Sequence, residues 1–324
     1  MYKTPNFEIL IPTSEQIRTY GRDDVVLGEE DRTPRSTSDV DLYMRIEKVW
    51  SEKFREALEE GKNLFAGPQY RLSSYSILDD ERVFLSLGAT DYREFMGTNV
   101  EAGKDPDYRD ELMERGERNY DDPEAYFSNT LAICSVIETS DGKIITGLRS
   151  DDVAEYPRCW HTVGGHPNPA HYQPTKADLF DAMEREITGE LGVDSGEIGN
   201  MRMIGLVRNR RTLKPELLFQ SEVYAQFDDI KERRLKSEKD EHFTFFGISS
   251  PDELIYFLNQ NQDEFNFPEN HGLSEEEKRN MRPTERPENT TNFFVPSGEA
   301  SWVLYLRHRG IDVEEELPYL STIE

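Results

Sequence analysis

The segment 176–191, KADLFDAMEREITGEL, constrains this chain of 324 residues more than any other stretch. Leu179, Met183, Ile187 and Leu191 recur at every fourth position. With about 3.6 residues per turn, that spacing draws one apolar stripe along a helix and requires a sheet to cover it. Beside the stripe runs a second row, Asp178, Ala182, Glu186 and Glu190. Residues four apart stand one above the other, so Glu186 and Glu190 present two carboxylates to one point in space. Like charges there repel, and a cation reverses the sign of the interaction. A few hard oxygen donors suit Mg²⁺, which keeps water and substrate phosphate as its other ligands. Two solvated glutamates on an acidic helix are the alternative, and the helix by itself leaves the two readings even.

What precedes the helix favours the metal. Gly164-Gly165 ends a strand-like run and opens a loop of Pro, Asn and His that returns to Thr175, the expected N-cap. Glycines there let backbone carbonyls and amides approach a ligand closely. Asp178, three residues after Thr175, is read as the partner in a capping box and not as a primary ligand.

The rest of the chain supplies the sheet. LAICSVIETS and KIITGLRS flank Asp141-Gly142 as a hairpin, MRMIGLVRNRR and ELLFQSEVYAQF read as paired strands, and HFTFFGI as another. PDELIYFLNQN and GEASWVLYLRHRG read as helices, and 267–292 as a long loop or flap. Upstream, a strand is expected over 7–11. Leu42, Ile46, Val49, Trp50, Phe54 and Leu58 mark an amphipathic helix from a Ser38 cap to Gly61, and two β-rich runs meet around Asp79-Asp80. The charged stretch 101–124 is taken as the boundary, dividing the chain into an N-terminal extension, 1–127, and a catalytic region, 128–324. Strands and helices without strict alternation predict an α+β fold, an α/β/α sandwich with a mixed sheet.

Composition narrows the function. Lys and Arg total 38 against 65 Asp and Glu, a formal charge of −27, which repels phosphate backbones and anionic lipid heads. No nucleic-acid or membrane partner is expected, and the oligomeric state is left open. No apolar run approaches the ~20 residues of a spanning helix, and the opening MYKTPNFEILIP has no signal-peptide pattern, so a cytoplasmic location is expected. Arg outnumbers Lys by 26 to 12, and the acid is spread along the chain, an arrangement compatible with a salt-adapted surface. Cys134 and Cys159 form no CxxC pair, Cys134 is read as core packing, and no His/Cys cluster has zinc spacing.

Gly164-Gly165, the loop, and then Arg185-Glu186-Ile187-Thr188-Gly189-Glu190-Leu191-Gly192-Val193 resemble the Nudix box, G-x5-E-x7-R-E-U-x-E-E-x-G-U with U aliphatic. The match holds at Arg185, Glu186, Ile187, Glu190, Gly192 and Val193. It departs at Gly189, where the family has an acid, and at Ala177, where it has its first glutamate; the loop after Gly165 is also longer than in compact members. VFLSLGATDYREFMGTN, TVGGHPNP, LFDAMEREITGEL, IGLVRN and PSGEASWVLYLRHRG, in that order along the chain, resemble the animal Nudix-type UDP-glucose and UDP-galactose pyrophosphatase. The resemblance implies a Nudix sandwich with an N-terminal extension. It also implies hydrolysis of a nucleotide sugar to nucleoside monophosphate and sugar 1-phosphate, with Mg²⁺ or alternatively Mn²⁺ as cofactor. The partner is then a small nucleoside diphosphate substrate. A hydrolase of another nucleoside diphosphate derivative such as ADP-ribose, and a non-catalytic nucleotide-binding module with a degraded box, are the competing readings.

The resemblance also assigns residues. Glu186 and Glu190 hold the metal with a backbone carbonyl near Gly165, and Arg185 pairs with a box carboxylate. Asp240 and Glu241, before HFTFFGI, are candidates for a general base or further ligand, against three exposed acids there as the plain alternative. On chemistry alone, Tyr92, Arg93, Thr98 and Asn99 combine an aromatic, a guanidinium and short polar groups able to stack on a base and bind phosphate. A helix start with its aromatics in the core is the alternative. Arg208 and Asn209, at a strand end, are candidate phosphate or ribose contacts, or else an edge-strand salt bridge. His166 is a candidate by its place beside Gly165.

Overall fold

The hairpin at Asp141-Gly142 anchors the architecture: Ile137 pairs with Ile145 and Glu138 with Ile144, and Gly142 takes the left-handed φ of 75° that the turn needs. The structure, a computed structural model, describes residues 4, 6–12, 18–29, 35–61, 64–151, 153, 155–169, 178–234, 242–269, 271–286 and 290–321. Its strands are β1 (Phe7–Ile11), β2 (Val25–Glu29), β3 (Pro68–Ile77), β4 (Val83–Asp91), β5 (Ala132–Thr139), β6 (Ile144–Arg149), β7 (Trp160–His161), β8 (Val163–Gly165), β9 (Ile198–Asn209), β10 (Pro215–Val223) and β11 (His242–Ile248).

Eight of them form one mixed sheet in the order β1-β9-β10-β5-β6-β11, with β7 on β6 and β8 on β5. β10 and β5 run parallel; the flanking pairs are antiparallel. The side-chain period of two makes β5 serve two cores. Ile133 and Ile137 pack under the Leu179–Leu191 helix with Met183, Ile187, Leu217 and Phe219. Cys134 and Val136 face the other way, onto Trp302 and Leu304 of the Pro296–His308 helix. The result is the α/β/α sandwich that the helix stripe required. Cys134 is fully buried, and burial pushes its thiol up to about 12, in keeping with packing.

The N-terminal region is not set apart from this sandwich. β1 is the outer strand beside β9, and Leu72, Val83, Leu85 and Leu87 of the small β2-β4-β3 sheet share a core with Leu131 and Ile133. The first long helix runs Val40–Glu59 and is capped by Asp39, which accepts from Leu42 N, instead of by Ser38. It buries Leu42 and Ile46 against Tyr108, Leu112 and Phe127, while Phe54 and Leu58 stay exposed. The charged stretch read as a boundary contains a helix, Pro106–Tyr120, with Asp105 as its cap. The expected loop over 267–292 also contains one, Glu275–Met281, started by the Ser274–Glu277 capping box. Among the described residues no helix is long and apolar enough to cross a membrane.

Candidate active site

The Leu179–Leu191 helix begins later than the sequence suggests. Asp178 is itself the N-cap, accepting from Phe180 N and Asp181 N, while Thr175 and Ala177 lie outside the described residues. Gly192 ends the helix at φ 66°, the left-handed conformation that favours glycine. Leu179, Met183, Ile187 and Leu191 are all buried, which fixes the rotation of the helix and turns the glutamate row toward β8.

There the two glutamates meet the paired glycines. A Cβ on Gly165 would lie 2.6 Å from Glu186 Cδ, and one on Gly164 would lie 2.6 Å from Ile133 O. Only glycine lets the helix, β8 and β5 close to this distance. Glu190 is 1% exposed. Its Oε1 accepts from Gly164 N at 3.2 Å, and its Oε2 is 2.7 Å from His242 Nδ1. Arg234 closes this side, donating to the Glu190 carbonyl at 3.1 Å and to that of His242. Arg185 is exposed, and its carbonyl accepts from Thr188 Oγ1. The two glutamates bring carboxylate oxygens to the β8 backbone, where the Gly164 N–H already engages one of them. Among the described residues no group of three or more His, Cys, Asp or Glu gathers as a cage. Few protein oxygens, with positions left for water and phosphate, fit Mg²⁺ better than a softer ion.

Gly164 and Gly165 also line a cavity with about 390 Å³ of empty space, part of it open to solvent, together with Arg149, Glu155, Tyr156, His161, His166, Lys214 and Glu216 among others. Lys214 Nζ donates to Glu155 Oε2 at 2.9 Å and lies 5.2 Å from the centre of the Phe95 ring. Burial opposes the Lys214 charge, but Glu155 and Glu216 outweigh it and raise its pKa. Burial raises the Glu216 carboxyl, against the pull of Lys214. Burial, reinforced by Arg149 and Lys214, lowers His161 and His166 far below the usual imidazole range, so both rings are neutral at pH 7. Sequence reasoning passed over Lys214, Glu216, Arg149, Glu155 and His242. A faint signal existed in Lys214 and Glu216, two charges at the head of the apolar run LLF.

The residues expected to bind substrate divide in two. His166 lines the cavity. Tyr92 is not among its lining residues: burial, then the Glu155 carboxylate, raise its pKa while Arg149 lowers it, and its ring packs on Trp50 and Phe95. Asn209 lies behind the wall, donating through Nδ2 to Tyr156 Oη at 2.7 Å and accepting from Arg211 N and Thr212 N. Asn99 is fully buried and donates to Thr212 O at 2.7 Å. Thr98 Oγ1 bonds Glu94 O and Ser128 N. Arg93 is held by Glu47 and Asp91, and Arg208 by Glu8 and Glu124, the salt-bridge alternative for that residue. Asp240 and Glu241 lie outside the described residues.

Comparison with known proteins supplies the family. No protein-family model matches the chain, in line with a box that departs at Gly189 and Ala177. Nudix hydrolase 9 of Arabidopsis thaliana is 30% identical over 254 residues, covering 69% of this chain and 76% of its own. Uridine diphosphate glucose pyrophosphatase NUDT22 is 27% identical in Homo sapiens and 31% in Mus musculus, each over 45% of this chain. The alignments span about half of those two proteins, 52% and 51%. Among solved structures, a MutT protein from Methanosarcina mazei Go1 matches 39% of this chain and 80% of its own at 18% identity and a TM-score of 0.28. The Arabidopsis relative matches at an identity and coverage that carry membership, and the chain therefore belongs to the Nudix hydrolases.

Proposed function

We propose that this enzyme cleaves the diphosphate of a nucleotide sugar of the UDP-glucose or UDP-galactose type, releasing nucleoside monophosphate and sugar 1-phosphate, with Mg²⁺ as cofactor and Mn²⁺ able to replace it. The observation that carries the reading is the meeting of Glu186 and Glu190, one helical turn apart, at Gly164-Gly165. Glu186 stands against Gly165, and Glu190 is oriented by Gly164 N and His242. These two side chains and a backbone oxygen near Gly165 would hold the metal. When bound, the metal would neutralise diphosphate charge and activate a water. Arg185, beside Glu186, steadies the carboxylates, and Asp240 or Glu241 serves as base or further ligand. The UDP-glucose pyrophosphatases among the relatives support the choice of substrate.

In the same reading, residues 1–127 contribute to the substrate site of the 128–324 region. Tyr92 and His166 contact substrate, while Arg93, Thr98, Asn99, Arg208 and Asn209 act through the segments they hold. That division is supported by Phe95 beneath Lys214 and by the Asn99 bond to Thr212. The test is a panel of UDP-glucose, UDP-galactose, ADP-ribose and nucleoside triphosphates, assayed for phosphate ester products with Mg²⁺, with Mn²⁺ and with chelator. The expected outcome is a higher kcat/KM for a UDP-sugar and no turnover in chelator. A preference for ADP-ribose over every UDP-sugar overturns the substrate assignment and leaves the family intact.

A further inference from the structure

The cavity lined by Gly164 and Gly165 has a polarity that selects among ligands. Its charges are already matched, Lys214 with Glu155 at 2.9 Å and Glu216 close by. A second phosphate would compete with Glu155 for Lys214 and would face Glu216. A cation would face Lys214 and Arg149, which line the same space. An apolar ligand would also leave His166, a lining residue with no hydrogen-bond partner at Nε2, unmet. Buried polar atoms of this kind cost free energy until something bonds to them. A hydroxyl both donates and accepts. A ring carrying several hydroxyls can donate hydrogen bonds to the carboxylates and imidazoles and accept them from the ammonium and guanidinium without breaking the ion pair.

We propose that this cavity is the glycosyl subsite, in which Glu155, Lys214, Glu216 and His166 bond the hydroxyls of the substrate's hexose while Glu186 and Glu190 act at the diphosphate. The inference rests on the nucleotide-sugar reading above and deepens it. It also gives Asn99 and Asn209 a task. Asn209 N donates to Lys214 O at 2.9 Å and Asn209 Oδ1 caps the turn at Arg211 and Thr212, Asn99 fixes Thr212 O, and Leu213 within the turn has a φ of 59°. Together they aim the Lys214 ammonium into the cavity, so both are positioning residues.

The test compares UDP-glucose with the methyl ester of UDP, which keeps the uridine and the diphosphate and lacks the ring. The wild type favours UDP-glucose in kcat/KM. In Glu155→Gln that preference falls about tenfold or more, mainly through KM, the loss expected when a hydrogen bond to a charged group is removed. His166→Phe, which leaves the Lys214–Glu155 pair in place, lowers the preference in the same direction and covers the case in which Glu155→Gln fails to fold. A wild type that cleaves UDP-glucose, with a preference that either folded variant retains in full, overturns the glycosyl subsite and spares the nucleotide-sugar reading. A wild type that cleaves no UDP-sugar overturns both.

Discussion

Glu186 and Glu190 are equivalent in the sequence pattern and unequal in their surroundings. Glu186 is half-buried against Gly165, whereas Glu190 is enclosed and bonded to Gly164 N and His242. Glu186→Gln and Glu190→Gln are each expected to lower kcat/KM on the order of 10²-fold or more. They differ in stability. Removing one charged partner from a buried network costs about 1–3 kcal/mol, so denaturant unfolding of Glu190→Gln should show that loss while Glu186→Gln melts close to wild type. If both keep near-normal metal-dependent turnover, the metal is held elsewhere. Gly165→Ala is a further check on the same site, since its Cβ would stand 2.6 Å from Glu186 Cδ. Steady-state kinetics should find activity sharply reduced in a folded protein.

At the scale of the element, the acidic helix is positioned by its cap and its stripe separately. Asp178→Ala removes the bonds from Phe180 N and Asp181 N, a loss worth about 1 kcal/mol. The ion pair from Arg22, itself half exposed, adds little. Thermal unfolding should report that small loss while kcat per folded molecule stays near wild type. A collapse of kcat would instead make Asp178 part of the site. Ile187→Ala, in the buried stripe, should cost about 2–5 kcal/mol. The stripe was legible because helical periodicity is local. The cap was not, because Thr175 and Asp178 are both good capping residues and only the course of the incoming chain chooses between them. The helices Pro106–Tyr120 and Glu275–Met281 were missed for a related reason: both are so rich in charge that their few buried residues, Tyr108, Leu112 and Met281 among them, leave no periodic signal.

For the whole molecule, a charge of −27 is a property no single contact offsets. Many ion pairs are exposed at one partner or both, Arg82–Asp80 and Lys278–Glu275 for example, and such pairs contribute little each. The net repulsion is long-ranged and falls with a Debye length near 10 Å at 0.1 M and near 3 Å at 1 M salt. We propose that the surface is salt-adapted, and the melting temperature should climb from low to molar KCl. A flat curve removes the idea and leaves the charge as a matter of solubility.

The sequence by itself determined what is periodic or adjacent along the chain. That covers the sandwich with its mixed sheet, the hairpin at Asp141-Gly142, the helix that carries Glu186 and Glu190, and the glycines that receive them. Only the tertiary structure decided which side chains from distant segments share a space. Lys214, Glu155 and Arg149 come from three separate loops or strand ends, and nothing in the spacing of residues 149, 155 and 214 brings them together. The strand pairing of β5 with β6, β8 and β10 does so. The pairing of β1 with β9 set Arg208 opposite Glu8, where Glu124 also reaches it, and packing of the segment before the Pro106–Tyr120 helix drew Asn99 onto Thr212 O, in the wall behind Lys214. A polar side chain's role follows from the partners that burial leaves within its reach, and those partners are set by packing across the fold.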